Sequence, residues 1–221
     1  MPAGYVDTVT PAVRPDLLAA HSGSLAHVAR PGARFDGATR VRLAEVAVAA
    51  YLAADPPPPW ARPYGDPLLD AVHRLARHAG TLTQQWYEGL VSEGVHPLDW
   101  VEAVGVVVAV LPPVAFARAI GVPLPSTPPV VAGAPHGREA AELAPAALNW
   151  VPVAAPADRG AAVVQALSAL PDEWHNMWQL AEAQYMSDQQ MDDPCWSRGT
   201  LSRPQMELVA GRLSRLRECF Y

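Results

Sequence analysis

HPLDWVEAVGVVVAVLPPVAFARAIG, residues 96–121, holds the longest apolar run in the chain, fifteen residues between Glu102 and Arg118. Its reading decides the class of the protein. Pro97 is suited to a first helical position, and the residues after it favour a long apolar helix. Pro112-Pro113 is expected to break that helix, leaving a second piece that ends near Gly121. A run this short and this interrupted falls below the roughly 20 residues needed to cross a bilayer. The stretch therefore reads as a core helix of a soluble, cytoplasmic protein without a membrane span.

Outward from this stretch, apolar residues recur three and four apart and rarely alternate, which predicts an all-α chain. Helices are expected over 16–29, 39–53, 66–79 (Asp66 as N-cap, Pro67 at the first helical position) and 83–93, closed by Gly94. DPPPP at 55–59 stops the second of these. Further helices are expected weakly at 138–143, then over 161–170, 172–186 and from Pro204 onward, with 186–199 as a loop. The organisation expected is an N-terminal arm (1–34), a helical unit (35–125), a Pro-rich linker or wrapping arm (126–160) and a second unit from 161 to 221.

Composition narrows the function. All 16 basic residues are arginine, the net charge is −6, and the arginines are scattered, so no basic stripe for nucleic acid exists. The first residues lack the charged start and apolar core of a signal peptide. Two cysteines in 221 residues do not form a disulfide framework.

The last stretch, RPQMELVAGRLSRLRECFY (203–221), reads as an amphipathic helix. Met206, Val209, Ala210, Leu213, Leu216, Cys219 and Phe220 share one apolar stripe; Arg212, Arg215, Arg217 and Glu218 face elsewhere. On its own, Cys219 is a small hydrophobe closing a core-facing stripe. Residues 35–54 lay over 201–220 without a gap and place Ala53 where Cys219 sits, a pattern expected of an internal duplication.

SRPQMELVAGRLSRLRECFY resembles the signature helix of the alkylhydroperoxidase D-like, carboxymuconolactone decarboxylase-like family. There a Glu, eleven residues, and then Cys-x-x-Cys-x-x-x-His follow one another. Glu207 matches the proton-relay carboxylate and Cys219 the first cysteine; Phe220 and Tyr221 match the spacers. Residues 96–125 are similar to the helix pair that follows the active-site helix, and 174–186 to a segment that precedes it. The resemblance is nearest to a peroxidase-related subgroup in which the second redox residue can be selenocysteine, so the sequence is expected to stop short of that residue. It implies an alkylhydroperoxidase D-like helical bundle of two units, the first degenerate and the second incomplete. It implies a thiol-dependent peroxidase with Cys219 and Glu207 as catalytic residues, hydroperoxide as substrate and a thiol reductant as partner. It also implies homo-oligomers and no cofactor or metal. A relay from Glu207 needs a turn before Cys219, because twelve residues of straight helix span about 18 Å. Gly211 is the visible breaker. Two other readings stand beside it: a non-catalytic helical scaffold docking through its terminal helix, and lactone chemistry of the carboxymuconolactone decarboxylase type.

Other candidates are weaker. Cys195 reads as an unrelated loop thiol. His73 and His78 read as solvated surface histidines. His175, between Trp174 and Trp178, reads as a partly buried histidine of an aromatic cluster, or as lining a pocket near the terminal helix. Glu182 and Tyr185 share that ambiguity.

Overall fold

Caps and prolines place the helix starts. The computed structural model describes residues 13–144, 149–156 and 162–216, apart from the side chain of Asp188. The described chain is all-α save for one two-stranded ribbon. Helix α1 spans Pro15–Val28, α2 Gly37–Leu52, α3 Pro67–His78, α4 Gln84–Ser92 and α5 Pro97–Ile120, with a 3₁₀ turn at Ala79–Thr81. Asp36, Asp66 and Thr83 each accept a hydrogen bond from the N–H three residues on, satisfying a donor that the first turn leaves open. Pro15, Pro67 and Pro97 sit at helix starts, where a missing N–H costs nothing. Gly94 follows α4 at φ 98, a conformation that favours glycine.

The expected break at Pro112-Pro113 does not occur: α5 runs unbroken to Ile120. Pro113 cannot donate to the carbonyl of Ala109, four residues back. Ser24 of α1 donates to that oxygen instead, at 2.9 Å, so packing supplies the partner that the proline removed. The helix ends at Gly121 (φ 73), with Val122 N–H reaching Ala117 O and Gly121 N–H reaching Arg118 O, the paired pattern of a Schellman stop. Unbroken, α5 is long and apolar enough to cross a membrane. Its inner face, with Trp100, Val106 and Val110, instead packs in the core against Val28 of α1, Leu43 and Ala47 of α2, Val72 of α3 and Leu90 of α4. Helix α1 falls in the stretch read as an arm, and its Leu25 and Val28 belong to this core.

After Gly121 the chain becomes a strap over the α1–α2 corner. Val131, His136 and Gly137 donate backbone hydrogen bonds to Ala29, Gly32 and Ala33 at 2.8–3.0 Å. The helix expected at 138–143 is absent. The strap's N–H groups, including Ala140 to Ala169 O, are spent on distant segments and are not free for a carbonyl four residues back. Strand β1 (Leu143–Ala144) pairs antiparallel with β2 (Val153–Ala154).

The helix expected over 161–170 is one turn, α6 (Ala162–Gln165). Three-residue turns follow it and bury Leu167, Ala169 and Leu170 against Leu98 and Val101. Pro171 holds Leu170 extended and starts α7 (Pro171–Gln184), which packs on α1 and α5. A single turn, α8 (Asp188–Met191), lies in the stretch expected to be loop, and α9 spans Arg203–Leu216.

Candidate functional site

Helix α9 starts on one half of a capping box, the side chain of Gln205 reaching back to Ser202. Gln205 Oε1 accepts from the Ser202 N–H at 2.9 Å and from the Ser202 hydroxyl at 3.1 Å. Arg203 Nη1 donates to the carbonyls of Gln190, Met191 and Asp193, fastening α9 to the end of α8. The start at Arg203 overlays the start of α2 at Gly37, as the alignment of 35–54 with 201–220 pairs them.

Glu207 lies one turn into α9. Its Oε1 accepts from the Tyr185 hydroxyl at 2.8 Å and from Arg203 Nε at 2.6 Å. The Tyr185 hydrogen bond, and then that of Arg203, holds this carboxyl below the ordinary carboxylate range, which favours the anion and makes it a weaker base than a free carboxylate. Tyr185 moves the other way, raised by burial and by Glu207. The structure does not use Gly211 as a breaker: α9 is continuous through it to Leu216. An isolated glycine weakens a helix by only about 1 kcal/mol, which its neighbours here absorb. Cys219 lies outside the described residues. The apolar stripe ahead of it is uncovered beyond Met206, with Val209, Leu213 and Leu216 each more than half exposed. Cys195 is an exposed free thiol.

Two histidine readings are corrected. His73 is buried rather than solvated, stacked at a tilt near Tyr64, and burial pushes its imidazole down. His78 Nε2 meets Pro57 O at 2.9 Å. His175 is exposed; Trp174 and Trp178 pack edge to face without enclosing it. The pocket it lines is at α1, not at α9. Among the described residues no group of three or more His, Cys, Asp or Glu is arranged to hold a metal.

The sequence reading missed the densest polar cluster in the molecule. Arg40 and Glu102 are fully buried and Glu173 is 2% exposed. Arg40 Nη1 donates to Glu102 Oε1 and to Glu173 Oε1, each at 2.6 Å. The other Glu102 oxygen accepts from the Arg34 N–H at 2.6 Å. The other Glu173 oxygen faces His27 Nε2 at 3.0 Å. Burial pushes Glu102 up more than Arg40 lowers it. For Glu173 burial pushes the same way, but the His27 hydrogen bond and the Arg40 charge outweigh it and leave the carboxyl below its ordinary value. Two glycines make room: a Cβ on Gly32 would strike the Glu102 and Arg40 side chains, and one on Gly105 would strike Glu173.

His27 is the cluster's outlet. It lines an open cavity of about 440 Å³, together with Arg30, His136, Asp172, His175 and Gln179. A sequence signal existed: Arg40 sits at a helix position whose neighbours Leu43, Ala44 and Ala47 are all core. A charge on an apolar helix face asks for a buried partner.

No protein-family model matches the chain, and comparison with curated proteins and with solved structures returned no match.

Proposed function

We propose that the chain is a thiol-dependent, peroxidase-type oxidoreductase of the alkylhydroperoxidase D-like group, with Cys219 as the redox thiol and Glu207 as the proton-relay carboxylate. The setting of Glu207 supports this reading: an ionised carboxylate clamped by Tyr185 and Arg203, twelve residues before the cysteine. The Cys219 thiolate attacks the O–O bond of a hydroperoxide, releasing the alcohol and becoming a sulfenic acid. A second thiol or selenol, which the motif places directly after Tyr221, condenses with it to release water, and a thiol reductant restores both. Helix α9 is straight from Glu207 to Leu216, so no turn within those residues brings the thiol toward the carboxylate. The reading places the protein in the cytoplasm and in homo-oligomers that cover Leu213 and Leu216.

The test is peroxide consumption with a dithiol reductant, on a chain carrying the motif's remaining residues. Cys219→Ser abolishes turnover and Glu207→Gln lowers it by about 10²–10⁴-fold, the usual worth of a general acid–base. The exposed stripe on α9 favours one other reading, a scaffold that docks through this helix. Intact oligomers with no peroxide turnover, and Leu213→Glu dissociating them in light scattering, select it.

A further inference from the structure

We infer that the cavity between α1, the strap and the start of α7 is a binding site for a small oxyanion of the phosphate or carboxylate class, held by Arg30 and His27. It is separate from the Glu207 clamp. Along α7, Glu173, which holds His27, and Tyr185, which holds Glu207, are twelve residues apart, about 18 Å by helix rise.

Behind the cavity, Arg40 bridges Glu102 and Glu173, and Glu173 in turn holds His27 at the cavity wall. Glu173 engages His27 Nε2 at 3.0 Å, which leaves Nδ1 without a partner among the described residues. Beside it Arg30 is exposed, and its guanidinium has no hydrogen-bond or ion-pair partner among the described residues. A guanidinium matches two oxygens of a carboxylate or phosphate.

The rim favours an anion for a second reason. The chain carries −6 overall, yet the one acid lining this cavity, Asp172, is already held by Arg138 Nη1 at 3.2 Å and His136 Nε2 at 3.4 Å. His136 Nδ1 accepts the Arg138 N–H, so both of its nitrogens are engaged. His175 Nε2 is taken by Gln179 at 2.8 Å. The titratable and charged groups around His27 are therefore Glu173, Asp172 and His175 from α7, Arg40 and Glu102 behind, His136 and Arg138 from the strap, and Arg30. Of these, Arg30 keeps its whole guanidinium for an oxyanion, and His27 and His175 each keep Nδ1.

Calorimetric titration of the protein with inorganic phosphate, and separately with acetate, tests this in low salt. Saturable binding is expected. Arg30→Gln and His27→Gln each weaken it at least tenfold, and Glu207→Gln leaves it unchanged. Gln at 27 retains a donor for Glu173; Arg30 is a surface residue, so its variant reports even where the other unfolds. Phosphate alone binding assigns the phosphate class, and binding of both assigns a general oxyanion site. No saturable binding of either, or binding indifferent to Arg30→Gln, overturns the proposal. Loss of peroxidase activity does not bear on it.

Discussion

At the scale of the residue, Glu102 and Glu173 show how two carboxylates on one guanidinium acquire opposite characters. Glu173 receives both Arg40 and His27, and its folded value lies below the ordinary 4.5. Its contribution to stability is whole above that value and is lost as pH falls through the folded value. Glu102 lies above 4.5, because burial outweighs its partners. Its folded state holds a proton more tightly than the unfolded chain, so its contribution is whole below 4.5 and lost as pH rises through the folded value. Denaturant titrations between pH 4 and pH 7 should therefore separate two conservative variants. The deficit of Glu173→Gln relative to the parent grows across that range, and the deficit of Glu102→Gln shrinks. Equal slopes for the two would contradict the arrangement.

At the scale of the element, α5 demonstrates a local rule overridden by a neighbour. Two adjacent prolines predict a break, yet the helix passes through them, and at the second Ser24 satisfies the Ala109 carbonyl that Pro113 leaves open. Ser24 also accepts from Asn176 Nδ2 at 3.2 Å, tying α7 into the same junction. Ser24→Ala leaves a buried carbonyl unpaired and should cost about 1–3 kcal/mol. Pro113→Ala restores an N–H that can reach Ala109, so the same serine change in that background should cost less. A double-mutant cycle on urea unfolding reads the coupling, expected at about 0.5 kcal/mol or more. No coupling would mean that another donor serves the carbonyl. The starts of α2, α3 and α4 required no such rescue. Asp36, Asp66 and Thr83 carry their own cap acceptors, and local chemistry suffices there.

At the scale of the whole molecule, Arg40 is the junction. Its guanidinium reaches carboxylates on α5 and α7, and Nε and Nη2 reach the carbonyls of Val28 and His27 at the end of α1. Four helices thus meet at one cation. Arg40→Leu strands two buried carboxylates and should destabilise the fold by about 3–5 kcal/mol in thermal or denaturant unfolding. A loss below 1 kcal/mol would show that the helices hold together by apolar packing alone.

The amino-acid sequence by itself determined the helical class, the capped start at Asp66, the glycine stop at Gly121 and the start of the terminal helix near Ser202; the caps at Asp36 and Thr83 are as local, but the expected start at 39 passed over the first and the helix expected from 83 took in the second. Periodicity, caps and fixed φ values act within a few residues, so they can be read without a partner. It also pointed to Glu207, through a motif resemblance, and to Tyr185 as a candidate near the terminal helix, but not to the hydrogen bond that joins the two across 22 positions. Only the tertiary structure decided that α5 survives its prolines, that the strap closes over α1 without a helix, and that Arg40, Glu102, Glu173 and His27 form one buried cluster. Those outcomes rest on hydrogen bonds and charge pairs between residues 62 to 146 positions apart. No local pattern encodes such a pairing, because each partner's cost of burial is offset only when the other arrives.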